Sequence, residues 1–470
     1  MQEFIVRIQK TELNNFKNVE HGAFNFACNS KEDIFEYGSD ILGIYGQNGS
    51  GKTAFIRSLA VLDALLSGNR LPKDILNYIT VGEDSSHIIF EFSVTNNIYY
   101  YKVVYEFEFQ KRLSDSIDEE DQDQNPVVVS HEKLSFSLLK DGKWSKFQTI
   151  INYDYSADEV FTPKVKFVEF TNQNQNVIDE LRLAKKYAIK QSSSFIFSKD
   201  AYKQIIKSCS NEDYKNIIMA LSIYGKFNLF IIDNRNTGLI NANVALPFSF
   251  KINEENSLSM GSIAIKLNSP SIIPEEIFSI INGVIETMNT VLNKIIPGFS
   301  VMLVNLGKQL MSDGKTGVTV ELVSIKNEKK VPLKYESDGI KKIISVLQML
   351  ISMYNNPSMT LAIDELDSGI FEYLLGEILK IVEESGKGQL IFTSHNLRPL
   401  ETLHKKSIIF TTANPQNRYI RLTNVKTNNN FRDFYFHDII LGGQKECTYE
   451  PTNSFAISRA FRMAGEVHES

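Results

Sequence analysis

One run of residues in this chain has the types and spacing to hold a triphosphate: Gly46-Gln47-Asn48-Gly49-Ser50-Gly51-Lys52-Thr53. Its glycines let successive backbone N–H groups, through Asn48, Gly49, Ser50 and Gly51, turn toward phosphate oxygens. Lys52 would reach the β- and γ-phosphates, and the Thr53 hydroxyl would hold Mg²⁺. A matching pair of carboxylates stands far downstream, where the apolar run Leu361-Ala362-Ile363 ends in Asp364-Glu365. Asp364 would sit near Mg²⁺ through water, opposite Thr53. Glu365 would polarise the water that attacks the γ-phosphate.

These residues need elements that hold them. The apolar run 41–45 reads as a buried strand before the loop. Residues 54–67 read as the helix after it, stopped by Gly68. Strand, glycine loop and helix together form a P-loop, with the helix N-terminus adding partial positive charge. Upstream, strands at 4–8 and 22–26 flank a turn through Asn15-Phe16-Lys17. From 87 the pattern alternates with period two, as strands 87–92 and 99–109 around Asn96-Asn97, then 127–139 and 144–153 around Asp141-Gly142. That reads as an antiparallel β subdomain. The acidic run 114–124 inside it reads as an exposed loop, with an acidic interaction loop as the alternative.

Residues 164–170 read as a return strand leading into Thr171 to Gln175. From there to 297 the period is mainly helical, broken by a strand at 228–232. The clearest helix runs over 274–296, opened by Pro274 and the acidic pair Glu275-Glu276. Strands return at 299–304, 317–325 and 331–335. Helix 339–354, strand 360–363, helix 371–384 and strand 389–392 then follow, an alternation that builds a parallel sheet.

Three short stretches add to the loop and the carboxylates. Thr393-Ser394-His395-Asn396 follows the last of these strands, and His395 matches the switch histidine of ABC-type ATPases, which contacts the γ-phosphate. Leu366-Asp367-Ser368-Gly369 resembles their D-loop, which runs along a dimer interface. Glu336-Ser337-Asp338-Gly339-Ile340-Lys341-Lys342 opens the helix before the Walker B strand, where such proteins carry a Ser-Gly-Gly signature. Ser337 and Gly339 match it; Asp338 departs from it. The plain alternative is a helix cap by Ser337.

Together these residues resemble the ABC/SMC/RecF-like ATPase superfamily. Within it they are most similar to bacterial AAA-family ATPases of the OLD-like and abortive-infection kind. Two further features carry that resemblance, the Glu-Ser-x-Gly-x-Lys-Lys signature and the tail stretch Asn430-Phe431-Arg432-Asp433-Phe434-Tyr435. The resemblance implies an α/β fold, an ABC-type P-loop ATPase head with a mixed sheet, an antiparallel β subdomain and a helical insertion. It implies ATP and Mg²⁺ as cofactors, with Lys52, Glu365 and His395 catalytic. It also makes Lys17 a nucleotide contact, with a solvated turn lysine as the alternative. Gln173, or Gln175 by position, would be the Q-loop residue that joins Thr53 and Asp364 at Mg²⁺. Ser337 and Gly339 of one copy would complete the ATP site of another.

The expected organisation is an N-terminal half of the head over 1–175, a mainly helical insertion over 176–298 and a C-terminal half over 299–470. With 470 residues and 43% hydrophobic content the chain is long enough for a large core. A net charge of −6 argues against coating nucleic acid non-specifically. No apolar run approaches a membrane span and no signal peptide opens the chain, which points to a cytoplasmic protein without membrane contact. Cys28, Cys209 and Cys447 lie too far apart for a zinc hook or a disulfide framework. No sustained heptads mark a coiled-coil arm. The stretch after His395 is too short for the Toprim nuclease domain of OLD proteins.

The resemblance therefore implies an ATP-sandwich homodimer, or a higher oligomer, serving as the ATPase subunit of an anti-phage system such as Septu, PARIS or a retron-associated module. A separately encoded effector would be its partner, and DNA or a phage component its trigger. The alternatives are a DNA-repair or DNA-maintenance ATPase acting directly on DNA, and a toxin-type enzyme with a separate active site.

Overall fold

The computed structural model describes residues 4–26, 39–96, 98–112, 125–233, 238, 242–254, 257–311, 314–423, 430–441, 444–450 and 452–466. The acidic run 114–124 and Asn97 lie outside the described residues.

The chain opens with β1 (Ile5–Phe16) and β2 (Val19–Asn25), crosses to β3 (Asp40–Tyr45), and enters helix α1 (Lys52–Leu66). The alternating stretch forms β4 (Ser85–Thr95), β5 (Tyr100–Lys111), β6 (Val127–Lys140), the short β7 (Lys143–Trp144) and β8 (Gln148–Asp154). These strands build an antiparallel sheet in the order β2-β1-β4-β5-β6, with β7 and β8 both on β6. Period-two burial along β5, from Tyr101 to Phe109, puts one face into the core, as the alternation of the sequence requires.

A lobe of four helices follows: α2 (Lys164–Thr171), α3 (Gln175–Gln191), α4 (Lys199–Ser208) and α5 (Glu212–Asn228). Here the expected return strand over 164–170 is corrected to helix α2. Its valines misled the reading, because Val165 and Val168 face solvent while Phe167 and Phe170, three apart, close on Phe161. Packing of Phe167 and Phe170 on Phe161 selects the helical period.

The expected mainly helical run to 297 also holds strands that the reading missed. After α5 the chain forms β9 (Leu229–Ile232), a hairpin of β10 (Ala245–Glu254) and β11 (Ser257–Lys266), and β12 (Ser271–Pro274), and only then α6 (Glu275–Ile295). Next come β13 (Phe299–Leu310), β14 (Thr316–Lys326) and β15 (Lys329–Pro332), which form a small antiparallel sheet with β12. The expected strand at 331–335 is divided, since residues after Pro332 turn into a single 3₁₀ turn.

The last part carries α7 (Asp338–Asn355), β16 (Thr360–Ile363), α8 (Glu372–Ser385), β17 (Gln389–Thr393), the one-turn α9 (Pro399–Thr402), β18 (Ile408–Thr411), β19 (Tyr419–Ile420), α10 (Phe431–Leu441) and α11 (Ser454–Glu466). The central sheet has the order β19-β18-β3-β17-β16-β9; β18, β3, β17, β16 and β9 are parallel, and β19 is antiparallel. Every residue of β3, β16 and β17 is buried, as strands covered on both faces must be. One core fills the space between the antiparallel sheet, α1 and the helical lobe. A second lies on the other face of the central sheet, against α6, α7 and α8. Among the described residues no helix is long and apolar enough to cross a membrane.

One half-buried acid in this frame gives a test of stability. Asp63 lies on α1 near Tyr224 of α5, and Ser67 Oγ donates to it at 3.4 Å. Burial pushes its carboxyl up to about 7. The unfolded chain loses this proton near pH 4, so between roughly pH 4 and 7 the folded state binds more protons and stability falls as pH rises. Asp63→Asn removes that loss. Thermal melts should show the variant more stable than the parent by about 1–3 kcal/mol at pH 8, the gap closing toward pH 4.

Candidate nucleotide site

The parallel strands deliver the expected residues to one end of the central sheet. The loop leaves β3, and α1 begins directly after it at Lys52. The Lys52 ammonium is nearly buried and donates to the carbonyls of Gly46 at 2.7 Å and Gln47 at 2.9 Å. Burial lowers its pKa, while Asp364, Glu365 and Asp367 pull it back up. Ser50 Oγ donates to Gln47 O at 2.5 Å, which closes the loop on itself.

Asp364 is 1% exposed at the end of β16. Its Oδ1 accepts from Thr393 Oγ1 at 2.6 Å and from Thr53 Oγ1 at 3.4 Å. Its Oδ2 is buried without a hydrogen-bond partner. A buried carboxylate oxygen left unmatched beside a threonine hydroxyl fits a hard cation. No group of three His, Cys, Asp or Glu side chains gathers among the described residues. That suits Mg²⁺, which takes one or two protein oxygens and completes its shell with water and phosphate. Thr53 and Asp364 are the residues that would hold it.

Glu365 is set by its backbone. It sits at φ 49, and its N–H donates to Thr393 Oγ1 at 2.7 Å. The Thr393 hydroxyl therefore accepts from the Glu365 backbone and donates to the Asp364 carboxylate, holding the two residues together. Asp367 ties in the next loop, its Oδ2 accepting from the N–H groups of His395 at 3.1 Å and Asn396 at 2.9 Å. His395 itself stands exposed at the rim.

Lys17, Asn48, Gly49, Gly51, Lys52, Thr53, Asp364, Glu365 and His395 all line one cleft of about 580 Å³. Lys17 lies half-buried in the turn between β1 and β2. It is held at φ 56, its N–H donates to Tyr78 O at 2.7 Å, and its ammonium lies 4.8 Å from the Tyr78 ring centroid. Burial and the nearby Arg57 lower its pKa.

Ser50, also expected at the nucleotide, is buried and does not line the cleft, and the other expected residues lie further away. Gln173 is exposed at φ 57 between α2 and α3 and does not line the cleft, and neither does Gln175. The Q-loop expectation required a strand at 164–170; a helix there carries both glutamines out with the helical lobe. Ser337 and Gly339 also lie outside the chain's own cleft. Ser337 caps α7, its side chain accepting from Ile340 N at 3.4 Å. Asp338, which departs from the signature pattern, is balanced by Lys341 at 2.8 Å, and Lys341 also donates to Asn243 Oδ1 at 2.6 Å.

Gly339 has a steric reason to be glycine. A Cβ there would lie 1.9 Å from the Gly369 carbonyl oxygen, so the start of α7 and the loop 366–369 are backbone against backbone. Gly339→Ala must push them apart. We expect a stability loss of about 2 kcal/mol or more in thermal melts, with ATP turnover down at least ~10-fold. A variant of unchanged stability and turnover would mean that this contact carries no function.

Several supporting residues escaped the sequence reading. Thr411 is hydrogen-bonded to Ser50, and its Oγ1 donates to Tyr45 O at 3.2 Å. Tyr419 OH donates to Gly51 O at 2.9 Å, and Arg418 donates to the carbonyls of Thr412 and Asn18, both at 2.6 Å. Lys342 is buried in α7; burial lowers its pKa, while Glu365, Asp364, Asp367 and Asp233 pull it back up. Strand register is the signal that finds the threonines. Ile363 pairs with Phe392 and Tyr45 with Phe410, so Asp364 meets Thr393 and Gly46 meets Thr411 one step further on.

With this geometry in hand, comparison gives a family. A family described as "AAA domain, putative AbiEii toxin, Type IV TA system" matches residues 41–400. The chain belongs to this family. No curated protein matches it. Among solved structures, this AAA-domain protein is similar to an SMC head bound to the C-winged helix domain of ScpA, at 13% identity and a TM-score of 0.39, covering 89% of this chain and 98% of that one. It is also similar to the SMC head domain from Thermotoga maritima (13% identity, TM-score 0.37, 88% and 99% covered) and to RecF bound to ATP (12%, 0.32, 83% and 94%). Its architecture is α/β, with the loop on a mixed sheet flanked by an antiparallel sheet and helices.

Proposed function

We propose that this AAA-domain protein hydrolyses ATP with Mg²⁺ as a homodimer, each ATP lying between the loop of one copy and Ser337 and Gly339 of the other. The observation that carries this is the division of the site. The loop, the carboxylates and His395 converge on one cleft, while the capped N-terminus of α7 stands outside it, seated against the D-loop of the same chain. A helix N-terminus with a free face suits an anion, and a second copy's nucleotide would supply one. Within the site Lys52 binds the β- and γ-phosphates, Thr53 and Asp364 hold the metal, Glu365 orients the attacking water, and His395 contacts the γ-phosphate. Loss of the γ-phosphate weakens the dimer, so the cycle is a two-state switch.

In the cell we assign the switch to anti-phage defence, as the OLD-like ATPase subunit that restrains or releases a separately encoded effector. The abortive-infection vocabulary of the family description supports that reading. Mixing two inactive variants tests the shared site. Lys52→Ala keeps its signature and Ser337→Arg keeps its loop, so a mixed dimer regains one complete site, and turnover should return to about a quarter of the parent value. Turnover that stays at zero on mixing would overturn the shared site. Stimulation by DNA ends, with no protein partner recovered from the native host, would move the assignment to a DNA-maintenance ATPase.

A further inference from the structure

A second cavity, of about 660 Å³, opens in the helical lobe at the C-terminal end of α1. With 15 residues at 1.5 Å each, α1 sets this end about 22 Å from the nucleotide loop. One lip of the cavity is Ser67-Gly68-Asn69. The other is α4, where Lys199, Lys203 and Lys207 recur every fourth residue and share one face in steps of about 6 Å. From α5, Lys226 adds a half-buried ammonium 5.0 Å from the ring centroid of Tyr202.

The charge of this cavity is one-sided. No carboxylate lines it, and among the described residues none of the four lysines is in an ion pair. Other lysines of the chain do pair, as Lys133 does with Glu106 and Lys215 with Glu212. Burial lowers the pKa of Lys226, and no carboxylate opposes that effect. In a chain of net charge −6, such a row is a local concentration of unmatched positive charge.

The walls are fixed before anything binds. Gly68, at φ 72, lies so close to the Phe197 carbonyl that a Cβ would sit 2.2 Å from its oxygen. The N–H groups of Ser67, Gly68 and Asn69 are already spent on the carbonyls of Asp63, Leu65 and Ala64. An anion here is therefore held by side chains. A single phosphate spans one step of the lysine row, whereas a row of about 12 Å closed in by α1 and α5 matches several phosphates in a short molecule.

We propose that this groove binds a compact anion bearing two or more phosphate groups, at a site separate from the nucleotide cleft. Such a ligand joins α4 and α5 to the far end of the helix that begins at the loop. The site does not depend on the dimer proposed above.

The probe is inorganic tripolyphosphate, titrated calorimetrically into full-length Lys52→Ala protein so that the loop does not contribute. We expect saturable 1:1 binding, weakened at least ~10-fold when Lys203→Ala and Lys226→Ala are added. ATP titrated into the same protein identifies the source. Equal affinity means that the phosphates alone are read, and tighter binding means that the nucleoside is read too. No saturable binding up to about 1 mM, or binding unchanged by the two substitutions, overturns the proposal. A short oligothymidylate that binds where tripolyphosphate does not also overturns it, making the groove a nucleic-acid track. So does a loss of thermal stability in the lysine variants without loss of tripolyphosphate binding, since the row would then only offset the negative end of α1.

Discussion

Lys52→Ala should leave a folded protein that no longer binds ATP. Lys52 is 7% exposed, and its ammonium donates to two loop carbonyls, Gly46 O and Gln47 O. A triphosphate offers it charged acceptors in place of neutral ones, and a hydrogen bond between charged groups is worth about 1.5–3 kcal/mol. Losing contacts to both the β- and γ-phosphates predicts an affinity drop of at least ~100-fold. The fold should be nearly indifferent. Removing a buried ammonium also removes its desolvation cost, and α1 is held by an apolar core that includes Phe55, Leu59 and Leu62. Fluorescent-nucleotide titration and a thermal melt on the same sample check both halves. ATP affinity within threefold of the parent would end the phosphate assignment of Lys52.

Glu365→Gln should do the opposite, holding ATP while failing to use it. The substitution keeps shape and loses the charge that draws a proton from water, so turnover should fall by about 10²–10⁴-fold. ATP and Mg²⁺ binding rest on Lys52, Thr53 and Asp364 and should survive. The ATP-bound state then persists and a dimer should accumulate, visible by size-exclusion chromatography with light scattering in ATP–Mg²⁺ and absent in ADP. Turnover equal to the parent would remove Glu365 from catalysis. Slow turnover without any dimer would keep its role and remove the shared site.

The two substitutions probe different levels of the structure. Lys52 acts within a contiguous loop, and its position follows from the strand and helix on either side. Glu365 acts only because Thr393, on a separate strand, holds its N–H and the neighbouring Asp364 together. A change at Thr393 should therefore injure catalysis without touching a residue of either motif.

Much of this was legible in the residues. Period two over 87–92 and 99–109, the apolar runs that became β3, β16 and β17, and the glycine loop between strand and helix pointed to an α/β fold carrying a P-loop. Each depends on neighbours within one element or on the order of motifs along the chain. The misreadings have a common physical cause. Val165 and Phe167 look like a strand until Phe161 selects the face that pairs Phe167 with Phe170. The β10–β11 hairpin lay within a stretch whose surroundings are helical. Local pattern cannot separate such cases, because the deciding partner is distant in sequence.

What the sequence determined by itself was which residue types stand in which order: a glycine loop ending in Lys52-Thr53, the carboxylates Asp364 and Glu365, and His395. What only the tertiary structure decided was which residues share a space. Parallel register brought Thr393 to Asp364 and Thr411 to the loop. Helix α2 carried Gln173 away from the cleft, and close packing against Gly369 made Gly339 a contact of backbone on backbone. A motif depends on a few neighbouring residues, whereas a site depends on strands and helices whose relative placement is set by the two cores on either side of the central sheet.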